Sequence, residues 1–143
     1  MNDAEYEQQV ARLLALADQW VRPIGLGWWR INLAYDREGA DFADSAVKVG
    51  GFQSGTLARC FADWRYGTAT IVWNMPDVAR TSDDELESAF VHELVHVFLH
   101  EMQEGARQSV QRPHEERVAT TLAKAFLWIR DHARDGEWGK PDA

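Results

Sequence analysis

The chain contains one cysteine, Cys60, which excludes an intramolecular disulfide framework and any cysteine-based zinc site. A lone thiol favours a reducing compartment. No apolar run approaches the roughly 20 residues of a membrane span, and the opening stretch MNDAEYEQQVARLL lacks the basic and apolar segments of a secretory signal. These absences predict a cytoplasmic protein with no membrane partner. Positive charge is scarce as well: 15 Lys and Arg stand against 23 Asp and Glu, a formal charge of -8, and the basic residues form no run. With no basic stripe to neutralise phosphates, nucleic acid is not expected as a partner.

The 143 residues suffice for one domain with one core, spanning 1–143. A hydrophobic content of 45% with a mean hydropathy of -0.43 is ordinary for a soluble globule. Seven tryptophans are many for this length, and their spread through the chain reads as core and strand positions rather than a binding platform.

Tyr6, Val10, Leu13, Leu14 and Ala17 recur at helical spacing and predict a first helix from about Glu5 to Trp20, ended by Pro23 and Gly25. Trp29, Ile31, Leu33 and Tyr35 alternate with Trp28, Arg30, Asn32 and Ala34, the period of a half-buried strand. Residues 36–56 show no sustained period and predict a long connection, with a short strand around Val47 to Val49. Leu57 to Tyr66 and Thr68 to Asn74 read as a hairpin about Gly67. Ser82-Asp83-Asp84-Glu85 is a capping box that starts a helix near Asp83, and Gly105 suits its C-cap. Pro113 opens a last helix, carried by Val118, Leu122, Ala125, Phe126 and Ile129 and stopped near Gly136.

The capped helix carries His92-Glu93-Leu94-Val95-His96, the HExxH pattern. At 3.6 residues per turn the two histidines share a face with Glu93 beside them, while Val91, Leu94, Val95, Val97, Phe98 and Leu99 make the rest of the helix apolar. Buried ionisable groups require a partner. One reading is a pair of hydrogen-bonded core histidines with Glu93 as ion-pair partner; a metal ion satisfies all three groups at once. Two imidazoles one turn apart suit Zn²⁺, and a hydrolytic site takes three protein ligands with a fourth position for water. The metzincin continuation is absent, because Leu99 and Met102 stand where glycine and histidine would be needed. His114-Glu115-Glu116-Arg117-Val118-Ala119 is the best source of a third ligand, if the last helix packs back on the motif helix.

On these residues the chain resembles the gluzincin clan, specifically the minimal zincin-like metallopeptidases of bacteria and their phages and mobile elements. In that family a glutamate ligand lies on the next helix in a pattern like ExxAxx(F/L)A, which Glu116-Arg117-Val118-Ala119-Thr120-Thr121-Leu122-Ala123 matches. The resemblance implies His92, His96 and Glu116 as metal ligands, with Glu115 as the competing third ligand, placed one turn before Val118. It also implies an α+β, zincin-like fold: an N-terminal helix, a small antiparallel sheet, a central HExxH helix and a C-terminal helix. The implied activity is zinc-dependent hydrolysis of a peptide or protein substrate, probing a narrow set of targets, with Glu93 as general base on a zinc-bound water. Thr68 to Asn74, as a sheet edge beside the motif helix, becomes the candidate substrate rail. The alternative is a zinc-binding interaction module of the same fold with little turnover, against which the intact Glu93 argues. His100 and His114 read as partly exposed polar residues before alternative ligands or oxyanion donors. Tyr66 and His132 acquire no role.

Overall fold

The computed structural model describes residues 1–42, 57–104 and 112–133. Helix α1 (Asp3–Trp20) starts where the Asn2 side chain accepts the Glu5 amide at 2.9 Å and Asp3 and Glu5 face the positive end of the helix dipole. Its buried face is Leu13 and Trp20, flanked by the partly buried Val10, Leu16 and Ala17; Leu14 is instead 49% exposed. Pro23 does not end the helix abruptly. A wide turn over Arg22–Leu26 follows, and Gly25 at φ 95° redirects the chain into the sheet.

Strand β1 (Arg30–Asp36) keeps the expected alternation in its first half, with Ile31 and Leu33 turned inward from the exposed Arg30 and Asn32. Strands β2 (Ala58–Asp63) and β3 (Thr68–Asn74) form the expected antiparallel hairpin, although β2 stops at Asp63 rather than Tyr66 and Gly67 takes φ 60° in the turn. The strand expected around Val47 to Val49 lies outside the described residues.

The sheet is mixed rather than antiparallel. Its order is β1-β3-β2, and β1 pairs with β3 in parallel, Arg30 opposite Thr68 through Asp36 opposite Asn74. A parallel pair needs a crossover, which the long connection after β1 and the hairpin together provide. β3 has the most to hide: Ala69, Ile71 and Trp73 are buried on its inner face, and Thr70 and Val72 are partly covered on the other. The central position satisfies both of its hydrogen-bonding edges. Thr68–Asn74 is therefore not an edge, and the expectation that it serves as a substrate rail is overturned.

A short helix that the periodicity did not reveal, α2 (Met75–Arg80), follows β3 directly and buries Met75 and Val78. Helix α3 (Asp83–Glu104) then begins at the expected box: Ser82 Oγ donates to Glu85 Oε2 at 2.8 Å, and the Ser82 and Glu85 amides meet the partner side chains at 3.4 Å. α3 is central. Leu86, Phe90, Val91, Leu94, Val95 and Val97 are all buried, and Phe90 stacks on Trp73 with centroids 5.4 Å apart; Phe98 is the exception, 39% exposed.

Helix α4 (Arg112–His132) packs on α3 through a different stripe from the one its large apolar residues predict. Ala119 and Ala123 are buried and Phe126 and Leu127 partly so, whereas Val118, Leu122 and Ile129 are 37–47% exposed. Which face a helix buries is set by the partner surface it meets, not by apolarity alone. The tryptophans divide in the same unexpected way. Trp20 and Trp73 are buried, but Trp28, Trp128 and Trp64 are exposed, and Trp138 lies outside the described residues.

Candidate metal centre

His92 and His96 stand one turn apart on the side of α3 that faces α4, with ring centroids 4.7 Å apart. Their Nε2 atoms are 3.0 Å from each other. From α4, the Glu116 carboxylate reaches both: Oε2 lies 3.2 Å from His92 Nε2 and Oε1 3.2 Å from His96 Nε2. The three residues are the one such donor group among the described residues, with ligand atoms all within 4.8 Å of one another. Donors held about 2.0 to 2.1 Å from a tetrahedral Zn²⁺ lie about 3.3 Å from each other; the two histidine nitrogens stand at 3.0 Å and each meets a different Glu116 oxygen at 3.2 Å, so small side-chain adjustments bring one atom from each residue to that spacing.

The outer nitrogens are engaged separately. His96 Nδ1 lies 2.8 Å from Glu115 Oε1, and Glu115 is only 11% exposed. His92 Nδ1 has the Thr120 hydroxyl at 3.4 Å. When the ring is neutral, a carboxylate behind an imidazole fixes the tautomer with hydrogen on Nδ1 and leaves the Nε2 lone pair facing inward. The structure thus places the two adjacent glutamates in different positions: Glu116 between the inner nitrogens, Glu115 behind His96. On the turn that follows Glu115, Ala119 is the buried neighbour and Val118 is exposed.

These contacts set the protonation of the cluster. Burial alone would lower the His96 pKa, but hydrogen bonds to Glu116 and Glu115 overcome it and raise it to about 9. The same bonds, from His92 and His96, hold the Glu116 carboxyl well below the usual range. Glu93 stands outside the donor group. Its pKa is pushed up by burial and by Glu116, against the opposing pull of both histidines, which suits a group that takes up and releases a proton.

Strand β2 supplies the floor. Cys60 points inward from it, and burial, reinforced by the charges of Glu93 and Glu115, raises its thiol to about 12, leaving it protonated and inert. Sequence reasoning gave neither Cys60 nor Thr120 a place at the site. The alternation of Ala58, Cys60 and Ala62 along β2 was the available signal for the first, and the four-residue step from Glu116 for the second. His100 lies near Asp63, whose carboxyl is lowered first by its hydrogen bond to Arg65 and last by His100; it is not in the donor group. His114 falls where side chains are not described. Tyr66 is 78% exposed, and His132 stacks on Trp128 at 4.0 Å; neither belongs to the donor group. The chain matches no family model, and no curated protein or solved structure is significantly similar to it.

Proposed function

We propose that the chain is a zincin-like, gluzincin-type metallopeptidase that binds one Zn²⁺ through His92, His96 and Glu116. The observation that carries this reading is the meeting of three donors from two helices at zinc-compatible spacing, with Glu93 next to them in sequence but outside the donor group. When bound, zinc supplies Lewis acidity, lowering the pKa of water and polarising a carbonyl. The residues of the chain do the rest. Glu93, its proton affinity raised by burial, accepts a proton from the attacking water and delivers it to the leaving nitrogen. Glu115 keeps the His96 ring in the productive tautomer.

The rail is reassigned to β2, the strand at the sheet edge beside α3. The Asn74 amide donates to Leu57 O at 2.9 Å, which fixes the phase of the ladder and directs the peptide groups of Ala58, Cys60 and Ala62 away from β3. An extended peptide substrate pairs there by strand addition. No described helix is long and apolar enough to cross a membrane, and the cytoplasm is the compartment we propose for the chain and its single thiol.

The test is zinc content together with cleavage of a peptide library by the wild type and by Glu93→Gln. One zinc per chain and cleavage that the substitution abolishes support the peptidase. Zinc at full occupancy in both proteins with equal cleavage would reject Glu93 as the base. Zinc with no cleavage of any library member by the wild type is the result expected of the interaction module and of a peptidase with narrow specificity alike.

A further inference from the structure

Helix α4 brings the third donor to the site, yet its packing is almost entirely against α3, through two alanines and the partly buried Phe126 and Leu127. Alanine contacts permit close approach but select weakly among rotations and sliding positions of a helix. Something else must choose the position that seats Glu116. At the far end of the interface, Arg130 meets Glu87 of α3 with two guanidinium nitrogens, Nη2 to Oε2 at 2.9 Å and Nη1 to Oε1. The carboxylate is shared with α1: Trp20 Nε1 donates to Oε1 at 2.8 Å and Gln19 Nε2 at 3.2 Å. The guanidinium also lies over the Trp20 ring, 5.2 Å from its centroid. Both partners are largely covered, Glu87 14% and Arg130 21% exposed, and the Glu87 pKa falls despite burial because Arg130 and Trp20 donate to it.

Glu116 and Arg130 lie close to four turns apart, on the same side of α4 and about 21 Å along its axis. A fork held at one end fixes rotation and sliding at the other. We propose that Arg130 and Glu87 are positioning residues for the metal centre: their bidentate pair, braced by Trp20, sets α4 on α3 so that the Glu116 carboxylate sits between His92 and His96. The inference rests on the metal reading of the cluster. Geometry, not charge alone, is what the pair supplies, so lysine replaces arginine only in part.

The experiment measures Zn²⁺ affinity, the visible spectrum of the Co²⁺-substituted protein and thermal stability of the metal-free protein, for wild type, Arg130→Met, Arg130→Lys, Glu87→Gln and Arg12→Met. Arg12 is the control. It bridges α1 to the α2–α3 junction through Val78 O, Thr81 O and Asp83, with Gln9 beside it on α1, and has no hydrogen bond to α4 among the described residues. Arg130→Met and Glu87→Gln are expected to weaken zinc binding about 10- to 100-fold, the range seen when outer partners of a metal site are lost. Their Co²⁺ bands should fade as the carboxylate leaves the coordination sphere, with Arg130→Lys intermediate and Arg12→Met less stable but unchanged in affinity and spectrum. If Arg130→Met does not fold, Glu87→Gln and Arg130→Lys carry the test. Unchanged affinity in those variants beside a zinc-loaded wild type overturns the positioning role alone, as does an equal loss in Arg12→Met. A wild type that binds no metal overturns the metal reading and this inference together.

Discussion

Zinc should compete with a proton for His96, and the competition has a size. With the pKa of His96 raised to about 9 by Glu116 and Glu115, the metal-free site at pH 7 carries a proton on the imidazole in about 99% of molecules. Metal ligation requires the neutral ring. Two pH units below the pKa, displacing that proton costs roughly 2.7 kcal/mol, so the apparent affinity at pH 7 should be about 100-fold weaker than its limit above pH 9. Titration calorimetry in two buffers of different ionisation enthalpy should count, at pH 7.5, the His96 proton in addition to the one lost by the zinc-bound water, and only the latter above pH 9. The stability of the metal-free protein moves the other way. A raised histidine pKa contributes stability that is fully present below 6.5 and is lost as pH rises through about 9. The lowered carboxyl of Glu116 contributes stability that is present above 4.5 and is lost as pH falls through its folded value. The cluster is therefore most stabilising, without metal, between those two windows. A proton count at pH 7.5 no higher than that above pH 9, or zinc affinity flat from pH 7 to 9, would refute the assignment of a carboxylate-held proton to His96.

Glu116→Gln should bind zinc more weakly than Glu115→Gln, because the first loses a donor and the second only a partner of His96; the second is expected to cost about 10- to 100-fold in affinity, and the reverse order in equilibrium dialysis would exchange their roles. Phe90→Ala, which empties the position stacked on the buried Trp73, should lower stability by about 3 to 5 kcal/mol in chemical denaturation, and a loss under 1 kcal/mol would mean that the core is not closed there. Gly25→Ala should cost about 1 to 2 kcal/mol from the φ of 95° alone, since an added Cβ would meet Phe98 only at an ordinary 3.7 Å; an unchanged melting temperature would show that the bend is not held in that conformation.

Local chemistry was legible in the residues. The Ser82 box marked the start of α3, the alternation from Trp29 marked β1, and HExxH placed His92, Glu93 and His96 on one helix, because capping, pleat and helical period are written within a few neighbouring positions. The sequence by itself therefore determined which helix carries the candidate site and which residues on it converge. Only the tertiary structure decided what meets them. Spacing predicts Val118, Leu122 and Ile129 as the packed face of α4, but Ala119 and Ala123 pack instead, since helix approach depends on the partner surface and not on apolarity alone. That rotation puts Glu116 between the histidines and Glu115 behind one of them, a distinction of one residue that no local pattern contains. The parallel pairing of β1 with β3, and with it the loss of Thr68–Asn74 as an edge, likewise followed from which strand had two sides to cover. Contacts between segments distant in the chain are settled by the sum of burial and hydrogen bonding over the whole domain, and a linear pattern records only each segment's own contribution to that sum.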